Sequence, residues 1–76
     1  MKYSKYYKFV GDQFRQHRIN NGKSLQDIAE RIGVTRMTIA NYETARTKIP
    51  VDIAKQLCAI YGVDFDEFMK IAHQYL

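Results

Sequence analysis

Tryptophan is absent from this 76-residue chain, cysteine and proline each occur once, and glycine occurs four times. With Cys58 alone, no disulfide can close within the chain, which points to an intracellular protein, and its setting suits a small buried core residue. His17 and His73 stand apart from each other and from Cys58, so they suit packed or solvated side chains better than metal ligands. No apolar run approaches the about 18 residues a membrane span requires. The Lys/Tyr-rich start lacks the apolar stretch of a signal peptide. A nucleophile–base pair and a Gly-rich phosphate loop are also missing. The expectation is therefore a non-enzymatic, cytoplasmic chain with no metal, no cofactor and no small-molecule ligand.

What is present is an uneven charge. The net charge is +4 and the pI about 9.3. Residues 1–50 hold ten Lys or Arg against Asp12, Asp27, Glu30 and Glu43, whereas residues 51–76 hold two Lys against Asp52, Asp64, Asp66 and Glu67. A basic half beside a mildly acidic one suits a protein that turns one face to phosphate.

The apolar spacing is helical throughout, and the length suits one small domain. Tyr7, Val10, Phe14 and Arg18 share one face of a first helix over about residues 5–20, ended by Asn20, Asn21 and Gly22. A second helix runs from Ser24 to about Ile32 and buries Leu25, Ile28, Ala29 and Ile32. A third runs from Thr35 to about Ala45 and buries Ile39 and Tyr42. Pro50 suits the first turn of a fourth, with Ile53, Ala54, Leu57, Cys58 and Tyr61 inward and Gly62 closing it. Asp64 and Glu67 have capping-box spacing at the start of a fifth, which buries Phe65 and Phe68. The fold class is all-α, with five helices.

Residues 24–50, SLQDIAERIGVTRMTIANYETARTKIP, carry the functional signal. Ser24 and Thr35 are N-cap types, and Gly33 permits a sharp turn between two short helices. Ala29 and Ile39 supply the small residue and the apolar plug that a helix-turn-helix needs. GVTRMTIANYE followed by TARTKIP resembles the recognition helix of the Cro/CI-type (XRE-like, lambda-repressor-like) DNA-binding domains. VGDQFRQHRINNGKSLQDIA at residues 10–29 and PVDIAKQLCAIYGVDFDEF at residues 50–68 extend the resemblance to the other helices. Two departures stand out. Leu25 fills the slot where that family often has a phosphate-anchoring Gln, with Gln26 one place later. Thr44 and Ala45 replace its usual Asn-Gly turn, so the third helix either runs longer or ends in a less relaxed geometry.

Helical geometry sets Met37, Asn41 and Thr44 opposite Ile39 and Tyr42, with Ala40 at the flank and Arg36 in the first turn. Arg suits the O6/N7 edge of guanine and Asn the N6/N7 edge of adenine, while Met37 or Ala40 can pack on a thymine methyl. The resemblance implies Arg36, Met37 and Asn41 as base readers. Phosphate contacts are expected from Thr35 and Thr38 near the helix N-terminus, from Thr44, from Arg46, Thr47 and Lys48 in the following loop, and from Gln26. The resemblance further implies an ion pair between Arg18 and Glu43 that ties the first helix to the third.

These readings imply one domain over residues 1–76. Residues 1–8 form an arm or an extension of the first helix, with Lys2, Lys5 and Lys8 reaching DNA or the interleaved tyrosines packing on the core. Residues 24–46 form the helix-turn-helix core, and residues 50–76 form C-terminal helices suited to dimerisation through Val63, Phe65 and Met69. The expected function is sequence-specific binding of double-stranded DNA by a homodimeric repressor of bacterial or phage type on a palindromic operator. The alternatives are an antitoxin or other protein-interaction module that autoregulates through its helix-turn-helix, and a restriction–modification controller protein.

Overall fold

The computed structural model describes residues 4–76, which form five α-helices and a terminal 3-10 turn, with no strand among the described residues. The first helix, α1, spans Ser4–Asn20 and is the longest. Its inward stripe works as the spacing predicts, for Val10 and Phe14 are almost wholly enclosed. The stripe then stacks Phe14 against Phe68 at 4.8 Å between ring centroids. That contact joins the two ends of the chain across the core.

The second helix, α2, covers Leu25–Ile32, and Ser24 caps it. The Asp27 N–H donates to the Ser24 hydroxyl at 3.0 Å, and the Ser24 N–H donates to the Asp27 carboxylate at 2.9 Å. This reciprocal box satisfies two helix-end donors at once. Asp64 and Glu67 form only half of such a box: the Glu67 N–H donates to Asp64, and the Glu67 carboxylate makes no return bond. The first pair joins a neutral hydroxyl to a carboxylate, whereas the second sets two carboxylates side by side, where like charges repel.

Gly33 ends α2 at φ 88° and lets the chain restart at once as α3, Arg36–Glu43, capped by Thr35. Ile28, Ala29 and Ile39 close the angle between the two helices. The third helix stops at Glu43, two residues short of the expected end. Ala45 adopts φ 62°, a left-handed conformation that costs an alanine about 1–2 kcal/mol and halts the helix. Of the two geometries open at Thr44–Ala45, the less relaxed one is observed.

A loop follows, anchored by Ile49, which is buried although the sequence pattern did not single it out. Pro50 precedes the first turn of α4, Val51–Tyr61, as its N-cap residue. The fifth helix, α5, spans Phe65–Ala72 and runs into a 3-10 turn over His73–Tyr75. Leu25, Ile32, Tyr42, Ile53 and Phe65, expected inside, are only half-buried and pack on the outside of the central cluster. A domain this small has too little interior to enclose every apolar face.

Candidate nucleic-acid interface

The helix pair α2–α3 leaves one face of α3 free of packing. Arg36 and Met37 are exposed, Met37 by 66%, and Ala40 and Asn41 are half-exposed one turn further along. Met37 and Asn41 lie opposite Ile39, with Ala40 at the flank and Arg36 leaving from the first turn, so an outward strip runs along α3.

The hydroxyls at the start of α3 follow strict donor arithmetic. The Thr35 oxygen accepts the Thr38 N–H at 3.1 Å, and the two hydroxyl oxygens lie 2.8 Å apart. Whichever hydroxyl donates across that gap, one hydroxyl hydrogen remains for an outside acceptor. A phosphate oxygen at this helix N-terminus would meet that hydrogen and the positive end of the helix dipole.

Thr44 is arranged differently. Its hydroxyl donates back to the Ala40 carbonyl at 2.9 Å, at an exposed position. The Gln26 amide likewise donates to Glu30 at 3.0 Å, an exposed contact that water or phosphate can replace. Arg46, Thr47 and Lys48 are all exposed in the loop. The Thr47 N–H donates to the Asn41 carbonyl at 3.3 Å, which folds this loop back beside the outward strip. Lys48 Nζ lies 5.9 Å from the centre of the Tyr7 ring, within cation–π range.

The end of α3 is fixed by charge. Arg18 Nε donates to one Glu43 oxygen at 2.8 Å and Nη2 to the other at 3.0 Å, while Nη1 donates to the Lys23 carbonyl at 2.9 Å. The bond to Glu43 raises the Arg18 pKa above its already high ordinary value. Tyr61 lies close enough to feel both charges, and burial pushes its phenol up to about 12. Burial also pushes the Cys58 thiol up to about 11, so it stays protonated and inert at neutral pH. Among the described residues no cluster of His, Cys, Asp or Glu could hold a metal ion, and no helix is long and apolar enough to cross a membrane.

At the ends of the chain, Tyr6 and Tyr7 pack against the core, while Lys5 and Lys8 are exposed and Lys8 lies 3.9 Å from Asp12. Lys2 and Tyr3 lie outside the described residues. Val63, Phe65 and Met69 are half-buried, and Met69 has an internal partner: the Tyr6 hydroxyl donates to its sulfur at 3.3 Å. Ile71, Tyr75 and Leu76 are the more exposed apolar side chains of this end.

The Ser24–Asp27 box, which sets the start of α2, shows in the sequence only as a Ser-x-x-Asp pattern before an apolar stripe.

A family model described as helix-turn-helix matches residues 14–68, across all five helices. The chain belongs to this family, the Cro/CI-type helix-turn-helix domains, which are DNA-binding and non-enzymatic. A protein of Pyrobaculum aerophilum is 36% identical over 61 residues, 80% of this chain and 24% of that protein. One of Sulfurisphaera tokodaii is 32% identical over 57 residues, 75% and 19% respectively. One of Methanosarcina barkeri is 34% identical over 59 residues, 78% and 18%. Each bears the name "Putative HTH-type transcriptional regulatory protein". The chain thus spans about a quarter or less of these relatives' length. They are archaeal, so the bacterial or phage setting expected from sequence has no support here. No solved structure matches the chain.

Proposed function

We propose that this chain is the operator-reading unit of a transcriptional repressor and binds a palindromic site as a homodimer with α3 in the major groove. The observation that carries this reading is the strip Arg36, Met37, Ala40 and Asn41, left uncovered on a helix whose far end Arg18 holds. Arg36 and Asn41 offer the hydrogen bonds that distinguish guanine and adenine edges, and Met37 and Ala40 offer surface for a thymine methyl. Thr35 and Thr38 supply their one spare hydroxyl hydrogen to phosphate, and Arg46, Thr47 and Lys48 line the backbone beyond. Gln26 joins them by exchanging Glu30 for a phosphate oxygen. Thr44 joins them in the same way, by exchanging the Ala40 carbonyl for a phosphate oxygen.

One such helix spans too few base pairs to single out a genomic site, so a second copy is needed. The C-terminal half suits the contact because it is mildly acidic, and a two-fold axis brings like surfaces together. Val63 and Phe65, at the entry to α5, form its centre, and Met69 sits at its edge. Repression follows when such a dimer occupies a promoter.

Selection of bound sites from random duplex DNA tests the reading. The expected product is an inverted repeat with half-sites about 10 base pairs apart, centre to centre. Enrichment of no sequence at all would overturn it.

A further inference from the structure

Gly11 is buried in the middle of α1, where a glycine is unfavourable by about 0.5–1 kcal/mol relative to alanine. A Cβ placed there would come within 2.6 Å of the carbonyl oxygens of both Tyr42 and Glu43, and within 2.9 Å of the Glu43 carbonyl carbon. These neighbours are main chain, so they cannot swing aside as the tip of a side chain can. α1 and the last turn of α3 therefore meet backbone to backbone.

Seven residues later, two turns along the same face of α1, Arg18 takes both oxygens of the Glu43 side chain. The main chain and the side chain of one residue are thus held at two points by one helix. The opposite end of α3, with Arg36 and Met37, is exposed.

We infer that Gly11 is a positioning residue for base recognition: it fixes the angle at which α3 leaves α1, and so where the reading side chains stand in the groove. This rests on α3 being the recognition helix. The lever is short but sufficient. Eight residues span about 12 Å, and a pivot of roughly 10° at the clamped end moves the far end by about 2 Å. A base-edge hydrogen bond tolerates only a few tenths of an ångström.

The test compares Gly11→Ala, Arg18→Lys, Asn41→Ala and Leu57→Ala with the parent chain. Each is titrated against the duplex that the parent selects and against random duplex of equal length. Measurements are made in an excluded osmolyte that keeps marginal variants folded, with folding checked by circular dichroism. Gly11→Ala should lose about tenfold of its preference for the selected duplex while random-duplex binding stays within about threefold, the scale of one lost base contact. Arg18→Lys keeps the charge but loses the fork, so it should lose about threefold in the same direction. Leu57→Ala, a core change in α4, should keep the parent's preference once folded.

Parental preference in folded Gly11→Ala, with Asn41→Ala impaired, would overturn the positioning role and spare the reading of α3. Parental preference in Asn41→Ala would overturn both. If Gly11→Ala does not fold even in the osmolyte, Arg18→Lys decides: unchanged preference there overturns the clamp.

Discussion

Glu43, only 5% exposed, gives both carboxylate oxygens to Arg18, which lies 25 positions earlier in the chain. The pair joins the first helix to the end of the third, and a third Arg18 donor closes on the Lys23 carbonyl at the start of the helix-turn-helix. Removing one partner strands the other charge in a largely enclosed site. Glu43→Ala should therefore destabilise the domain by about 1–3 kcal/mol in urea unfolding. The double change with Arg18→Ala should cost less than the sum of the single changes. Strict additivity would show that the two charges do not support each other.

Ala45 holds φ 62° in the turn that ends α3. Glycine takes that conformation freely, although it also loosens the unfolded chain. Ala45→Gly should stabilise the domain by about 0.5–1 kcal/mol, read as a melting temperature higher by roughly 2–8 °C. A lower melting temperature would mean that the turn is not strained.

Tyr61 links the fold to alkaline pH. Burial raises its phenol from 10.0 to about 12, with the Glu43 charge adding to the rise. Between those values the unfolded chain loses the proton while the folded chain keeps it. Stability is then complete below about pH 10 and falls as pH climbs towards 12. Tyr61→Phe should flatten this alkaline loss in thermal melts taken across that range, while leaving the neutral-pH melt close to the parent's. An identical alkaline slope in the variant would assign the loss to other groups.

The dimer proposal rests on the entry to α5. Phe65→Glu places a charge where two like surfaces would meet, and should give a folded monomer in sedimentation that binds a half-site weakly. Met69→Glu should also cost stability, because Met69 is already engaged by the Tyr6 hydroxyl. A dimer unchanged in both variants would move the contact to another surface.

The helices were legible in the sequence because their apolar residues recur at helical spacing, and Ser24, Gly33, Thr35 and Gly62 punctuate them with local chemistry. The outward strip on α3 was legible for the same reason, since a residue's side of a helix follows from its position. What stayed hidden depends on tertiary geometry. Gly11 reads as a weak helix former until the carbonyls of Tyr42 and Glu43 are seen against it. Thr44 reads as an outward hydroxyl, yet its hydrogen turns back to Ala40. Met69 reads as a free apolar residue, but the extension of α1 delivers Tyr6 to its sulfur. Ile49 has no helical periodicity to mark it, because it anchors a loop.

Binding profiles of Asn41→Ala and Lys48→Ala decide whether α3 reads the sequence. Each variant is measured against the selected duplex and against every single-base change of it, across a range of salt. Asn41→Ala should lose about 1–3 kcal/mol on the selected duplex and become indifferent to one base pair in each half-site. Lys48→Ala should weaken every duplex about equally and lower the salt dependence by about one phosphate contact. An Asn41→Ala variant with the parent's affinity and the parent's preference at every position would contradict the central claim.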